Sequence, residues 1–312
     1  MRETLEGFLI DERFQLGRRV GRGGMGEVYR ARDRMTDQVI ALKILTGQSD
    51  RHIERFARES ELLARLRHPA IVAYLGNGLA APRRPYLAME WLEGEELASL
   101  LRRGRLAPAE AFAVLARVAD ALAFVHARGV VHRDIKPSNL FVERGRVGGV
   151  KLIDLGIAQG GPHDDAFGES GGPLGTPGYM APEQVRCHVE IGPPADLFAL
   201  GCVVYECLIG RRAFTGDHAA AVQARVLLDD LPPVGAIRPD VPPALEELLA
   251  RLLSKDPEDR PADGGALCAE LDAMAAEDFA HVSGVLPFLG DVEEDTQAVT
   301  LELSDESSTQ AA

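Results

Sequence analysis

Residues 132–139 read His-Arg-Asp-Ile-Lys-Pro-Ser-Asn, and this short segment brings a carboxylate, a cation and a neutral amide together. Asp134 is followed by Lys136 at +2 and by Asn139 at +5. A positioned carboxylate can orient a hydroxyl group and accept its proton, while a lysine can offset charge on a phosphoryl group in transfer. The segment therefore favours a catalytic loop over an ordinary polar turn.

A second carboxylate follows an apolar run fifteen residues after Asn139, in Leu152-Ile153-Asp154-Leu155-Gly156. Two oxygen ligands on separate loops suit Mg²⁺, which proteins normally bind through few side chains together with substrate phosphates. The alternative is a pair of unrelated polar turns. The order of the two segments favours a metal site.

The glycine-rich segment Gly21–Gly26 has the spacing G-x-G-x-x-G. In dinucleotide-binding folds this spacing opens a helix, whereas here it is followed by Glu27-Val28-Tyr29-Arg30, which predicts a strand. A glycine-rich hairpin tip lets backbone N–H groups approach phosphates closely, because no Cβ intervenes. An ordinary hairpin turn is the alternative.

Lys43 ends the apolar run Ile40-Ala41-Leu42-Lys43 and is one of only four lysines in the chain. A solvated strand lysine is the commoner case. Glu59, however, lies at the edge of an apolar helical stripe, where an unpaired carboxylate is costly to bury. An ion pair between Lys43 and Glu59 would satisfy both groups and leave the ammonium beside phosphate oxygens.

The composition is that of a globular protein, with 46% apolar and 26% charged residues among 312. No run reaches the roughly 20 uncharged apolar residues of a membrane helix, and the acidic start does not resemble a signal peptide, so we expect a cytoplasmic location and no membrane span. The four cysteines have no CxxC spacing and are expected to be reduced thiols. The net charge of −14 and the lack of a basic cluster disfavour nucleic acid as a partner.

Secondary-structure patterns predict a β-rich start, a helix-rich middle and a polar tail. A helix is expected from about residue 50 to 67, and a second opens at Pro108. Helical patterns continue to about residue 279, and the remaining residues are rich in acids, Ser and Thr, which predicts disorder. The predicted strands are Phe14–Val20, Glu27–Arg32, Gln38–Leu45, Ile71–Tyr74 and Tyr86–Met89.

Seven motifs in this order resemble those of eukaryotic-type serine/threonine protein kinases, most closely the bacterial branch. The motifs are the glycine-rich segment, the Lys43 strand, the Asp134 loop, the Asp154 loop, Gly175–Glu183, Asp196–Gly201 and Asp256–Pro261. The resemblance implies a bilobal α+β fold with an N-lobe at about 14–92 and a C-lobe at about 93–278. Residues 1–13 would be an N-terminal extension and 279–312 an acidic tail.

The resemblance also implies a role for each matching residue. Asp134 would be the catalytic base, Lys136 would contact the γ-phosphate, and Thr176 would line the approach of the substrate hydroxyl. Asn139 and Asp154 would hold Mg²⁺, or Mn²⁺ in its place. The positions implied for ATP are Val20, Gly21, Gly23, Gly24, Gly26, Val28, Ala41, Lys43, Glu59, Met89, Glu90, Leu92 and Phe141. Of these, Glu90 to Leu92 would hydrogen-bond the edge of adenine through their backbone. Three further residues would be structural: Glu183 and Arg260 as a buried pair, and Asp196 as a brace for the catalytic loop.

The chain departs from the family pattern at two places. Leu155 stands where phenylalanine is commoner, and its apolar volume is close enough that we expect activity to survive. Residues 157–175 contain no threonine and only Ser170, so the usual phosphorylated partner of Arg133 is in question. A nearby carboxylate or phosphorylated Ser170 would take its place.

The expected function is transfer of the γ-phosphoryl group of ATP to protein serine or threonine, with autophosphorylation and a signalling role. A pseudokinase, a small-molecule phosphotransferase and a phosphate-binding module are the alternatives. The charged groups that the reaction needs are present, and Gly175–Glu183 with Asp196 implies a platform for peptide. In the tail, Thr296 follows three acidic residues. Thr296, or next Thr300, would be autophosphorylated and recruit a phosphothreonine-binding partner, against the alternative of a merely solubilising tail.

Overall fold

The computed structural model describes residues 5–22, 26–45, 60, 64–80, 84–154, 176–188 and 190–277. Strands fill the first part of the chain and helices the second, which agrees with the predicted bilobal α+β class. The strands are β1 Leu9–Ile10, β2 Phe14–Arg22, β3 Gly26–Asp33, β4 Val39–Leu45, β5 Tyr74–Ala80, β6 Arg84–Glu90, β7 Gly94–Glu96, β8 Leu140–Glu143 and β9 Val150–Leu152. The helices are α1 Leu97–Leu101, α2 Pro108–His126, α3 Pro182–Val185, α4 Pro194–Ile209, α5 Ala219–Leu228, α6 Val234–Ile237, α7 Pro243–Leu252 and α8 Gly264–Glu277.

An antiparallel sheet of six strands, in the order β1-β2-β3-β4-β6-β5, forms the N-lobe. Side chains alternate across such a sheet, so one face of β3 and β4 is buried and the other stays partly open. The buried face carries Tyr29 and Leu42, while Val28, Ala41 and Lys43 lie on the partly open one. The open face therefore carries three of the residues that the sequence assigns to ATP.

The C-lobe core forms around α2 and α4, which are apolar over most of their length. Pro108 begins α2 as predicted, and the Glu110 side chain accepts a hydrogen bond from the Ala107 backbone N–H at 2.8 Å. This bond satisfies one of the N–H groups that a helix start leaves open. A small antiparallel sheet, β7-β8-β9, packs into the same core as these helices and carries the loops of the site.

Four predicted strands are confirmed with small shifts at their ends, and one is wrong. Ile71 forms only an isolated parallel bridge to Leu152, and the strand in this region is β5, which starts at Tyr74. The backbone of Val72 is engaged by Leu152 instead of by the large sheet. The predicted helix at residues 50–67 lies largely outside the described residues, although Ser60 and residues 64–65 are helical.

The first described residues add to the sheet beyond the predicted start at residue 14. Strand β1 pairs with β2, and Ile10 is buried in the N-lobe core. The Tyr86 hydroxyl donates to Asp11 at 2.6 Å, which fixes the turn between the two strands. The N-terminal segment therefore covers the edge of the sheet.

All four cysteines are unpaired thiols, as predicted. Cys202 and Cys207 are fully buried on α4, and burial raises the pKa of both thiols. In the part of the chain that the structure describes, no helix is both long and apolar enough to cross a membrane. The predicted tail at 279–312 lies outside the described residues.

Candidate active site

Asp134 lies at the centre of a hydrogen-bonded group of three side chains. Lys136 donates to Asp134 Oδ2 at 2.6 Å and to Thr176 Oγ1 at 2.9 Å, and Thr176 Oγ1 donates to Asp134 Oδ1 at 3.1 Å. The Asp134 side chain is only 9% exposed. The structure thus brings together the three residues that the sequence assigns to catalysis, although Thr176 is 42 residues away in the chain.

A 3₁₀ turn at Pro137–Asn139 returns the chain so that Asn139 lies beside Asp134. The Asn139 Nδ2 atom donates to the Asp134 backbone oxygen at 2.8 Å and approaches Asp134 Oδ2 at 3.2 Å. Because the amide nitrogen makes these contacts, its oxygen is the atom that could ligate a metal ion.

Asp196 holds the catalytic loop from below, as the sequence predicts. Its carboxylate is fully buried and accepts hydrogen bonds from the backbone N–H groups of His132 and Arg133, each at 2.7 Å. His126 lies 2.9 Å from the same carboxylate through Nε2, and its Nδ1 accepts from the Gly264 N–H at 3.0 Å. With Nδ1 as acceptor, Nε2 carries the proton and donates to Asp196. The loop is therefore anchored to α2, α4 and α8 together.

Lys43 and Asp154 meet across the two lobes. Lys43 Nζ lies 3.1 and 3.2 Å from the two Asp154 carboxylate oxygens, and 111 residues separate them. The Lys43 side chain is 13% exposed and that of Asp154 is 40% exposed, so solvent reaches the carboxylate more than the ammonium. Glu59, the predicted partner of Lys43, lies outside the described residues.

The proposed adenine positions are aligned by strand register. Ala41 is opposite Met89, and Val28 is opposite Lys43, so these four side chains share the open face of the sheet. Gly26 packs so closely against β4 that a Cβ there would lie 2.5 Å from the Ile44 carbonyl oxygen. Of the other predicted positions, Gly23 and Gly24 lie outside the described residues. Val20 and Gly21 are on β2, Glu90 ends β6, Leu92 follows it, and Phe141 is on β8.

Asp154 and Asn139 fit a magnesium ion in the chemistry of their donor atoms. Both can offer oxygen, and they stand on separate loops at the same end of the β8–β9 hairpin, Asn139 just before β8 and Asp154 just after β9. Hard cations such as Mg²⁺ prefer oxygen ligands. Lys43, which holds both oxygens of Asp154, places a cation where phosphate oxygens would also be attracted.

The sequence matches the protein kinase domain family over residues 14–271. This chain belongs to the protein kinase family. Among curated relatives, the serine/threonine-protein kinase pkn3 of Myxococcus xanthus is 36% identical over 282 residues, which are 87% of this chain and 51% of pkn3. The serine/threonine-protein kinase PknL of Mycobacterium tuberculosis is 37% identical over 280 residues, 88% of this chain and 69% of PknL.

PknH of Mycobacterium tuberculosis is 36% identical over 278 residues, 88% of this chain and 44% of PknH. The chain thus spans about half the length of pkn3 and PknH. These relatives place the kinase domain in the bacterial serine/threonine branch, which the sequence motifs predicted.

The segment after Thr176 forms a tight turn directly beside the group of Asp134, Lys136 and Thr176. Gly178 has a φ of 95°, in the left-handed region that favours glycine, and a Cβ there would lie 3.1 Å from the Phe214 carbonyl oxygen. Tyr179 donates its hydroxyl to Glu206, and burial is the main cause that raises the pKa of Tyr179. The turn is therefore fixed from α4.

Glu183 and Arg260 form the predicted buried bidentate pair. Arg260 Nη1 donates to Glu183 Oε1 at 2.8 Å and Nη2 donates to Oε2 at 3.0 Å. The Arg260 guanidinium also donates to three backbone oxygens, those of Pro194, Ser254 and Lys255. The pair therefore ties α3, which follows the turn at Gly178, to the loop before α8.

Sequence reasoning missed Lys151 and the side chain of Glu90. Only the backbone of Glu90 was assigned to ATP, yet its carboxylate accepts from Lys151 Nζ at 2.7 Å and from the Ala73 N–H at 2.8 Å. The scarcity of lysine is the signal in the sequence that could have found Lys151, because three of the four lysines lie at the site.

Proposed function

We propose that this chain transfers the γ-phosphoryl group of ATP to serine or threonine hydroxyls of proteins, with Asp134 as the catalytic base. The observation that carries the proposal is the group formed by Asp134, Lys136 and Thr176. A carboxylate with one short bond to an ammonium and one to a hydroxyl is held in a single orientation, which is what general base catalysis requires. Membership of the protein kinase family supports the same conclusion.

In the proposed reaction, the substrate hydroxyl lies against Asp134 and passes its proton to the carboxylate. The bond from the hydroxyl oxygen to the γ-phosphorus forms while the bond from that phosphorus to the bridging oxygen breaks, and ADP leaves. Lys136 offsets negative charge on the transferred group. Thr176 holds the other carboxylate oxygen and borders the path of the hydroxyl.

ATP is the proposed phosphoryl donor, and Mg²⁺, or Mn²⁺ in its place, would neutralise its phosphate charge when bound by Asn139 and Asp154. Lys43 would hold phosphate oxygens. Val20, Val28, Ala41 and Phe141 would sandwich adenine, with Met89 beside it. The backbone of residues 90–92 would hydrogen-bond its edge. The glycines at 21, 23, 24 and 26 would cover the phosphates, and Glu59 would pair with Lys43.

We further propose that the kinase domain extends over residues 14–278 and acts in the cytoplasm in signalling. Its partners would be proteins with serine or threonine acceptors. The acidic tail at 279–312 would be an autophosphorylation segment, with Thr296 or Thr300 recruiting a phosphothreonine-binding protein. Ser170 or a nearby carboxylate would partner Arg133.

The test is transfer of label from γ-labelled ATP, with Mg²⁺, to a generic basic protein, followed by phosphoamino-acid analysis. Label on serine or threonine is expected. The Arg251→Gln variant is the control, because it breaks an exposed ion pair with Glu270 on the helical lobe and should transfer label at the wild-type rate. Label found only on small molecules, or on no acceptor, contradicts the proposal.

Autophosphorylation of the tail is tested by intact-mass spectrometry after incubation with Mg·ATP. The full chain should gain more phosphates than a variant with Thr296→Ala and Thr300→Ala. Equal gains contradict the role of the tail and leave the kinase proposal standing. The Ser170→Ala variant separates the two candidate partners of Arg133. A large loss of activity supports phosphorylation of Ser170, and unchanged activity supports a nearby carboxylate.

A further inference from the structure

The carboxylate of Glu90 is turned away from the open face of the sheet and is held by two donors. The Ala73 N–H donates to Oε1 at 2.8 Å, and Lys151 Nζ donates to the same oxygen at 2.7 Å. In addition, the backbone N–H of Glu90 donates to the Ala73 carbonyl at 2.9 Å. The end of β6 is thus joined to Ala73 twice and to Lys151 once.

Lys151 lies at the middle of β9, close to residues of both the proposed adenine site and the proposed metal site. It is opposite Phe141 on β8, so the two side chains stand on the same face of the small sheet. Three residues later the chain reaches Asp154. Lys151 therefore connects the floor of the proposed adenine site and the metal-binding loop to the strand end at Glu90.

The segment before Ala73 follows β9 closely and strengthens this connection. Val72 N–H donates to the Leu152 carbonyl at 2.8 Å, and Leu152 N–H donates to the Ala70 carbonyl at 2.9 Å. We call the contact between Ala73, Glu90 and Lys151 the hinge clamp, because residues 91–93 after Glu90 connect the large sheet to the small one.

The ion pair in the hinge clamp is sheltered from solvent but not fully buried. The side chains of Lys151 and Glu90 are 16% and 28% exposed. A charged pair in this position is screened less than a surface pair, and water can still reach it, which limits the cost of removing its charges from solvent. The ion pair can therefore fix the position of Glu90 relative to Lys151 at a small cost in the free energy of unfolding.

We propose that Lys151 is a positioning residue for ATP that acts through Glu90. This inference rests on the proposed function, since it takes the backbone of residues 90–92 as the adenine edge. The hinge clamp fixes that edge relative to Phe141 and Asp154. The groups that would contact adenine and the phosphates therefore hold their positions before ATP binds. Such pre-organisation lowers the cost of binding without touching the ligand.

Two single variants remove the ion pair in different ways. Lys151→Met keeps the length of the stem and removes the charge, while Glu90→Gln keeps an acceptor for the Ala73 N–H. Each should raise the KM for ATP and the Kd of a non-hydrolysable ATP analogue about threefold to tenfold, as expected for loss of one charge-assisted hydrogen bond. The kcat and the KM for the protein substrate should change less than about twofold.

Three comparisons separate positioning from a general loss of structure. Lys151→Arg keeps the cation and should recover most of the affinity. The double variant should be no worse than either single variant, because both remove the same contact. Arg32→Gln, which breaks the exposed pair with Asp37 in the β3–β4 turn, should leave the affinity at the wild-type value.

Hydrogen–deuterium exchange tests the hinge clamp independently of phosphoryl transfer. The amides of Ala73 and of residues 90–93 should exchange faster in Lys151→Met than in the wild type, whereas those in the Arg32→Gln protein should not. Unchanged analogue affinity and unchanged exchange in both single variants, additive effects in the double variant, or a rise in kcat would overturn the inference. If the wild-type protein transfers no phosphate, the proposed function fails. Hydrogen–deuterium exchange and the Kd of the ATP analogue then still test whether the hinge clamp positions the site.

Discussion

Replacing Glu183 by glutamine should unfold the C-lobe at a clearly lower temperature. The Glu183 and Arg260 side chains are 6% and 0% exposed, and two hydrogen bonds of 2.8 and 3.0 Å join them. Removing one partner of a buried pair leaves an uncompensated charge and costs about 3–5 kcal/mol. Because glutamine keeps the volume and one acceptor, the lower end of that range is expected, about 3 kcal/mol.

For a domain of this size, about 3 kcal/mol corresponds to a fall in Tm of roughly 6–12 °C. The assay is thermal unfolding followed by circular dichroism at neutral pH, with urea unfolding as a second probe. Glu270→Gln is the matched control, because it breaks an ion pair with Arg251 whose side chains are 35% and 50% exposed. Such a surface pair contributes about 0–1 kcal/mol. Equal small shifts in the two variants would refute the argument that burial makes the Glu183 pair costly to break.

Three further predictions follow from other contacts. Lys43→Met should lower phosphoryl transfer at least about 100-fold, because it removes the cation that we propose holds phosphate oxygens, and a rate assay that finds near-normal turnover contradicts this. The Arg13 guanidinium lowers the pKa of Asp33 from 3.8 to about 2, so Asp33 stabilises the fold fully above about pH 4 and loses this effect as the pH falls toward about 2. The difference in free energy of unfolding between wild type and Asp33→Asn should narrow over that range, and a constant difference argues against the pKa shift. Gly264→Ala should destabilise by about 1–3 kcal/mol in urea unfolding, since a Cβ there would lie 2.3 Å from the Ala123 nitrogen, and an unchanged midpoint refutes the close contact.

The catalytic group could be predicted from sequence because its chemistry restricts both residue type and spacing. Asp134, Lys136 and Asn139 lie within six consecutive residues, so the local backbone conformation brings them together. Asp196 and the Glu183–Arg260 pair came from the resemblance to a family, not from periodicity. For these residues the described structure agrees with the prediction.

Strand β5 could not be predicted from local pattern. It contains Gly76, Asn77 and Gly78, which have low strand propensity, and it forms the edge of the sheet, where Leu75 and Leu79 are exposed. The apolar run Ile71–Tyr74 looked more like a strand. Its backbone, however, follows β9, which no local pattern indicates.

The hinge clamp was missed for a similar reason. Glu90 and Lys151 are 61 residues apart, and each is an ordinary strand residue when considered alone. Their contact depends on how the large and small sheets meet. Tertiary geometry of this kind needs a structure.

The most direct test of Asp134 as catalytic base is the kcat of Asp134→Asn at saturating Mg·ATP, with ATP affinity measured by calorimetry on the same protein. Asparagine keeps the shape of the side chain and removes its ability to accept the hydroxyl proton. We predict a fall in kcat of about 10²–10⁴-fold, with the Kd for ATP within about twofold of wild type. Turnover close to that of wild type would contradict the assignment of Asp134.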